Sequence, residues 1–160
     1  MIEIKPADKT NVPLIQQLAY TIWNVAYKDI LSKEQLAYML DKMHSIETLK
    51  KLIDNGHQFI IPYEDGVAKG YSCFKFYNDK TRIEKLYVLP DQHKKGIGKL
   101  LLNYIIEKSK PHVNIIELNV NRHNKAIDFY KRVGFEIVKE VDIPIGEGYF
   151  MNDYVMTLTL

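Results

Sequence analysis

The stretch of this sequence best suited to chemistry runs Leu86-Tyr87-Val88-Leu89-Pro90-Asp91-Gln92-His93-Lys94-Lys95-Gly96-Ile97-Gly98-Lys99: an apolar strand-like run, a glycine-containing loop and the start of a helical pattern. The first amides of a helix have no carbonyl partners and sit at the positive end of its dipole, and glycines let an anion approach the backbone. Lys94, Lys95 and Lys99 add positive charge at the same place, so the loop reads as a pyrophosphate cradle. A plain glycine turn flanked by solvated lysines is the alternative. Two common nucleotide loops are excluded. GxxxxGK followed by Ser or Thr is absent, and Leu101 stands where the dinucleotide fingerprint GxGxxG needs its third glycine. The histidines (His44, His57, His93, His112, His123) are scattered without HxxxH or HExxH spacing, so no metal is expected.

The elements that must position this loop follow from periodicity. Ile2 to Ile4 alternates as a short strand before Pro6, and Val12, Ile15, Leu18, Ala19, Ile22, Trp23 and Ala26 recur at helical spacing behind Asn11, a candidate N-cap. Ser32 opens a second helix, and Ser45 to Ile53 reads as a third, stopped at Asn55-Gly56. Gln58 to Tyr63 and Val67 to Tyr77 read as a hairpin around Glu64-Asp65-Gly66, and Ile83 to Leu89 as the next strand. A helix from Gly96 to Lys108, a strand from Val113 to Val120, a short helix from Asn124 to Val133, and strands from Phe135 to Val141 and Tyr149 to Leu158 complete the chain.

Two motifs carry a resemblance. His93-Lys94-Lys95-Gly96-Ile97-Gly98 is similar to the Q/R-x-x-G-x-G/A motif of the GNAT superfamily of N-acetyltransferases, with His93 where that family has Gln or Arg. Downstream, Asn119-Val120-Asn121-Arg122-His123-Asn124-Lys125-Ala126-Ile127-Asp128-Phe129-Tyr130-Lys131-Arg132-Val133-Gly134-Phe135 resembles the family's NxxAxxFYxxxGF segment. The three helices ahead of the hairpin and the Asp153-Tyr154-Val155-Met156 ending resemble bacterial polyamine acetyltransferases of the PaiA type. The resemblance implies an α/β (α+β) GNAT fold, a mixed, twisted, mostly antiparallel sheet of six to seven strands flanked by helices. It also implies an acetyl-CoA-dependent transfer of acetyl to a primary amine, such as a polyamine. In that family's pattern Leu86, Tyr87 and Val88 present main-chain groups to the acetyl and pantetheine portions, and His93, Lys94, Lys95, Gly96, Ile97, Gly98 and Lys99 surround the pyrophosphate. Asn119 and Asn124 meet the cofactor, Phe129 and Tyr130 line the thioester end, and Tyr130 is the general acid.

The acceptor side is read from the residues. Acetyl transfer to an amine needs a neutral nucleophile, a polarised carbonyl and a proton for the leaving thiolate. Glu84 lies four residues before Val88 on an alternating strand, so their side chains share a face and Glu84 is a candidate base; a salt bridge with Arg82 is the alternative, with water as the base. Trp23 and Tyr27, one helical turn apart, are candidates for the wall of an acceptor pocket.

Size and charge set the class. The chain has 160 residues, 46% apolar, with a net charge of +2, which suits one domain over residues 1–160 and lacks the basic excess of a dedicated nucleic-acid binder. A nucleic-acid module built on Lys94, Lys95, Lys99, Lys131 and Arg132 is a disfavoured rival. A CoA-binding regulatory module without turnover, and acetylation of a protein amine, are the others. The lone Cys73 and a start without a basic region followed by an apolar run set the expectation of a cytoplasmic protein with no membrane contact. The resemblance also implies that exposed last strands could pair two copies into a homodimer.

Overall fold

The computed structural model describes residues 1–160 apart from His93 and Lys94. The chain runs β1 (Ile2–Ala7), α1 (Val12–Ala26), α2 (Lys33–His44), α3 (Ile46–Asp54), β2 (Gln58–Glu64), β3 (Val67–Ala68), β4 (Gly70–Phe76), β5 (Thr81–Val88), α4 (Ile97–Ser109), β6 (Ile115–Asn121), α5 (Ala126–Val133), β7 (Glu136–Gly146) and β8 (Tyr149–Thr159). The strands form one sheet in the order β1-β2-β4-β5-β6-β8-β7, with β3 paired to β2 as an eighth. Only β5 and β6 run parallel among the described pairs. The single strand expected from Val67 to Tyr77 is broken at Lys69, whose amide donates instead to the Pro62 carbonyl at 2.8 Å. No helix is long and apolar enough to cross a membrane among the described residues.

Local chemistry explains the helix starts. Ser32 Oγ accepts from the Gln35 amide and Ser45 Oγ from the Thr48 amide, both at 3.1 Å, satisfying one orphan donor at each N-terminus. Asn11 does not act this way. Its side chain accepts from the Asp8 amide at 2.9 Å, so it closes the short turn before α1 and leaves the start of α1 to Pro13.

The helices cover opposite faces of the sheet. On one side Ile15, Trp23, Leu40 and Leu49 of the first three helices pack on Phe59, Ile61, Tyr71 and Cys73; on the other, Ile97, Leu101 and Ile105 of α4 pack on Ile60, Phe74 and Ile83. Residues of β2 alternate between the two cores, as a strand buried on both faces must.

β4 and β5 slip by one residue. Cys73 faces Lys85 and Phe74 faces Ile83, which leaves Glu84 unopposed, and such a bulge bends the strand and re-aims its side chains. Ile83, Leu86 and Val88 all join the α4-side core, an interval of three where a regular strand has two, while Tyr87 packs with α1. Glu84 therefore does not share a face with Val88, as unbroken alternation predicts. It lies with Arg82, whose Nε is 3.2 Å from Glu84 Oε1.

The bulge coincides with a second irregularity. The parallel ladder of β5 and β6 pairs Thr81–Ile83 with Ile116–Leu118 and goes no further among the described residues. Beyond it, β5 stays with β4 and β6 with β8, so the two strands part and open a wedge through the sheet.

His44 shows how dry the α1-side core is. It is fully buried, its Nε2 is 2.9 Å from the Tyr71 hydroxyl, and its ring meets Trp23 edge-on at 4.9 Å. Burial, with a smaller push from the Lys85 ammonium, drives the imidazole pKa down to about 2. The unfolded chain titrates near 6.5, so the stability gained from a neutral His44 is complete above that pH and is lost as the pH falls through it. Between pH 7.5 and 5 the loss is about 2 kcal/mol. A urea-midpoint series over this range should show it, and His44→Gln should flatten the slope; an equal slope in the variant would assign the titration to another group.

Candidate active site

Two cavities meet in the wedge. The larger, about 920 Å³, is lined by the end of α1 (Val25, Ala26) with Asp29 and Ile30, by Gly96, Gly98 and Lys99, and by the α5 region (His123 to Ala126, Phe129, Tyr130 and Arg132). Gly96 adopts the left-handed conformation (φ 74°), and a Cβ there would meet nothing within 4 Å, so the backbone faces open space. Gly98 faces Phe129 across the start of α4, where a Cβ would lie 3.5 Å from Phe129 Cζ, an ordinary contact distance. Among the described residues no side-chain cap is seen at the start of α4. Its orphan amides, with Lys99, Lys125 and Arg132 on the cavity wall, suit an anion with several charges.

The smaller cavity, about 300 Å³, lies between β5, β6, β8 and the first two helices. Trp23, Tyr27 and Tyr87 form its aromatic side, with Trp23 5.1 Å from the Tyr27 ring and 5.4 Å from Tyr87, and the Tyr27 and Tyr87 hydroxyls 3.0 Å apart. The hairpin of β7 and β8 closes over it: Tyr38 Oη donates to the Ile145 carbonyl at 2.6 Å, and Gln35 Nε2 to the Phe150 carbonyl at 2.9 Å. Trp23 and Tyr27, the expected wall residues, both line this cavity.

The cavities share Ala26, Leu86, Val88, Asn124, Ala126 and Tyr130. Tyr130 is 7% exposed and packs edge-on to Phe135 at 5.5 Å. Burial, and secondarily the neighbouring Tyr27, pushes its hydroxyl above the ordinary tyrosine range, so it holds its proton at neutral pH. Asn124 Oδ1 accepts from the Ala126 amide at 2.9 Å, fixing the approach to α5.

Other predicted residues are placed differently. Ile97 is fully buried against the core, which leaves only its main chain to face a ligand. Lys95 Nζ reaches across to Glu64 Oε1 at 3.0 Å, and Tyr87 turns its ring into the smaller cavity. Asn119 lines the smaller cavity rather than the larger one: its Oδ1 accepts from Arg82 Nη2 at 2.7 Å and its Nδ2 lies 3.4 Å from Asp153 Oδ2. Glu84 lines the smaller cavity paired to Arg82, which also donates to Glu117 Oε1 at 2.7 Å. His93 and Lys94 lie outside the described residues. The lone thiol of Cys73 is buried and pushed up to about 12, which makes it a poor nucleophile.

Sequence reasoning missed Lys125 and Arg132 as walls of the larger cavity and Asp153 in the smaller one. The first two were legible as cations within the Asn124–Phe135 segment. Asp153 carried no local signal.

A family model described as an acetyltransferase (GNAT) domain matches residues 27–147. The chain is 27% identical over 144 residues to spermidine N(1)-acetyltransferase of Thermoplasma acidophilum, covering 85% of this chain and 89% of that protein. It is 48% identical over 58 residues to an uncharacterized N-acetyltransferase of Methanocaldococcus jannaschii, a match that covers 35% of this chain and 26% of that protein. Its fold is similar to that of the PaiA N-acetyltransferase of Thermoplasma acidophilum, crystallised with coenzyme A (TM-score 0.82, 24% identity, covering 100% and 99% of the two chains). It is also similar to that of the ribosomal-protein-S18-alanine N-acetyltransferase of Escherichia coli (TM-score 0.75, 18% identity, covering 99% and 94%). The chain therefore belongs to the GNAT family of acetyltransferases and is an acyltransferase with acetyl-CoA as its co-substrate.

Proposed function

We propose that this protein N-acetylates a small primary amine, a polyamine of the spermidine class, by direct attack of the amine on the thioester of acetyl-CoA. The observation that carries the reading is the meeting of two cavities at Tyr130, the larger with Lys99, Lys125 and Arg132 on its wall, the smaller with Trp23, Tyr27 and Tyr87. The orphan amides at Gly96 to Lys99, with Lys99, Lys125 and Arg132, hold the pyrophosphate. Asn124 and Phe129 line the path of the pantetheine arm, and Leu86 and Val88 flank the acyl group. The acceptor enters the smaller cavity between Trp23, Tyr27 and Tyr87. Bringing two reactants together in this way removes much of the entropic barrier, and Tyr130 donates the proton that the sulfur needs.

The polyamine is favoured by the similarity to the spermidine acetyltransferase over most of both chains. The buried single thiol supports a reducing, cytoplasmic setting. The long edge strand β7, with Ile137, Val138 and Ile143 exposed, supports pairing with a second copy. The test follows free thiol release from acetyl-CoA with spermidine, putrescine, free amino acids and a peptide with a free N-terminus. Spermidine is expected to give the highest kcat/KM. A peptide acetylated ten times better would replace the polyamine with a protein amine, and absence of CoA binding by calorimetry would end the reading altogether.

A further inference from the structure

Glu84, the base expected from the sequence, lies at the bulge and is paired to Arg82. Another carboxylate stands in the same cavity. Asp153, on β8 opposite Asn121 of β6, is 3% exposed and lines the smaller cavity. Its one side-chain hydrogen bond to a described residue is the long contact from Asn119 Nδ2 to Oδ2 at 3.4 Å. Asn119 is itself oriented by Arg82, whose Nη2 takes the amide oxygen at 2.7 Å and so turns the amide nitrogen toward Asp153. Arg122, at the end of β6, spends its guanidinium on Asp142, on Glu140 and on the main-chain oxygens of Val141 and Asp153 rather than on the carboxylate.

From these placements we infer that Asp153 is the catalytic base, anchoring the acceptor ammonium in the smaller cavity and taking its proton. The inference rests on the N-acetyltransfer reading. Asp153 takes one proton from the ammonium and leaves a neutral amine. The nitrogen lone pair then bonds to the acyl carbon as the bond from that carbon to sulfur breaks. Tyr130 gives its hydroxyl proton to the sulfur and recovers one from the nitrogen, so the products are an amide and a thiol, and Asp153 returns its proton to solvent. Burial makes such a carboxyl a better proton acceptor than a solvated one: it raises the carboxyl from the ordinary aspartate value against the opposing pull of Asn119, Arg122 and Arg82. The other ionisable groups around the cavity are Tyr27 just after α1, Arg82, Glu84, Lys85 and Tyr87 on β5, and Tyr130 on α5.

The test compares Asp153→Asn with Glu84→Gln, using spermidine and acetyl-CoA. Wild-type kcat/KM should rise with pH through the carboxyl and reach a plateau. In Asp153→Asn it should be about 10²-fold lower at pH 7 and climb with pH toward that of the free amine, with CoA affinity unchanged. Glu84→Gln, which alters the wall of the same cavity and frees one edge of Arg82, should keep the acidic limb whatever it does to the plateau. An Asp153→Asn loss under about threefold with an unmoved acidic limb would overturn the assignment, as would loss of the acidic limb in Glu84→Gln. A ¹³C carboxyl titration of the wild type, assigned by its disappearance in Asp153→Asn, needs no acceptor. A carboxyl titrating at or below the ordinary aspartate value overturns the inference even where spermidine fails as a substrate, an outcome that counts instead against the polyamine reading.

Discussion

Tyr130→Phe is expected to lower kcat by about 10²-fold or more at saturating acetyl-CoA, with affinity for acetyl-CoA changed by less than about threefold. The ring is buried against Phe129 and Phe135, and Phe keeps that packing. No hydrogen bond ties the hydroxyl to another described residue, so removing it strands no buried partner and costs little stability. What disappears is a proton donor at the junction of the two cavities. Burial keeps the phenol protonated, so a tyrosine here cannot serve as a resting base and holds a proton at neutral pH. Steady-state rates should be read beside rapid-quench measurements showing that the chemical step limits turnover. A loss below about threefold under those conditions would assign the proton to water.

The parts of this site that were legible in the sequence are those whose conformation is dictated within a few residues. Gly96 announces the left-handed turn, because no other residue type adopts it so cheaply. Trp23 and Tyr27 share a helix face by spacing alone, and Ser32 and Ser45 cap their helices by composition. The misplaced residues depend on partners far along the chain. Glu84 looks aligned with Val88 until Cys73 and Phe74 on the neighbouring strand impose the slip, and no feature of β5 itself encodes it. Asn119 is turned toward the acceptor side by Arg82 from another strand. Asp153 reads as an ordinary strand carboxylate, and its burial arises only when β8 is placed beside β6 and under α1. The strand β7 runs to Gly146, past the expected end at Val141, because pairing with β8 absorbs Asp142 and Pro144, which read as breakers in isolation.

Gly96→Asp should raise the Kd for acetyl-CoA by about 10²-fold while the protein stays folded. The residue sits at φ 74°, where a side chain costs roughly 1–2 kcal/mol, least for Asp and Asn. A Cβ there meets no neighbour within 4 Å, so the side chain extends into the larger cavity without displacing protein atoms. A carboxylate about 4 Å from one phosphate charge repels it by about 4 kcal/mol at an effective dielectric near 20, and the cations around the cavity offset part of that. Gly96→Asn separates the causes. It has the same shape and the same tolerance of the left-handed conformation, so steric and backbone effects should match those of Asp while the charge effect vanishes, leaving a loss under about tenfold. Raising the ionic strength should narrow the gap between the two variants, since a screened carboxylate approaches the amide in effect. Equal losses for Asp and Asn at all salt concentrations would mean that the loop meets no anion, and near-normal affinity in both would move the pyrophosphate away from the start of α4.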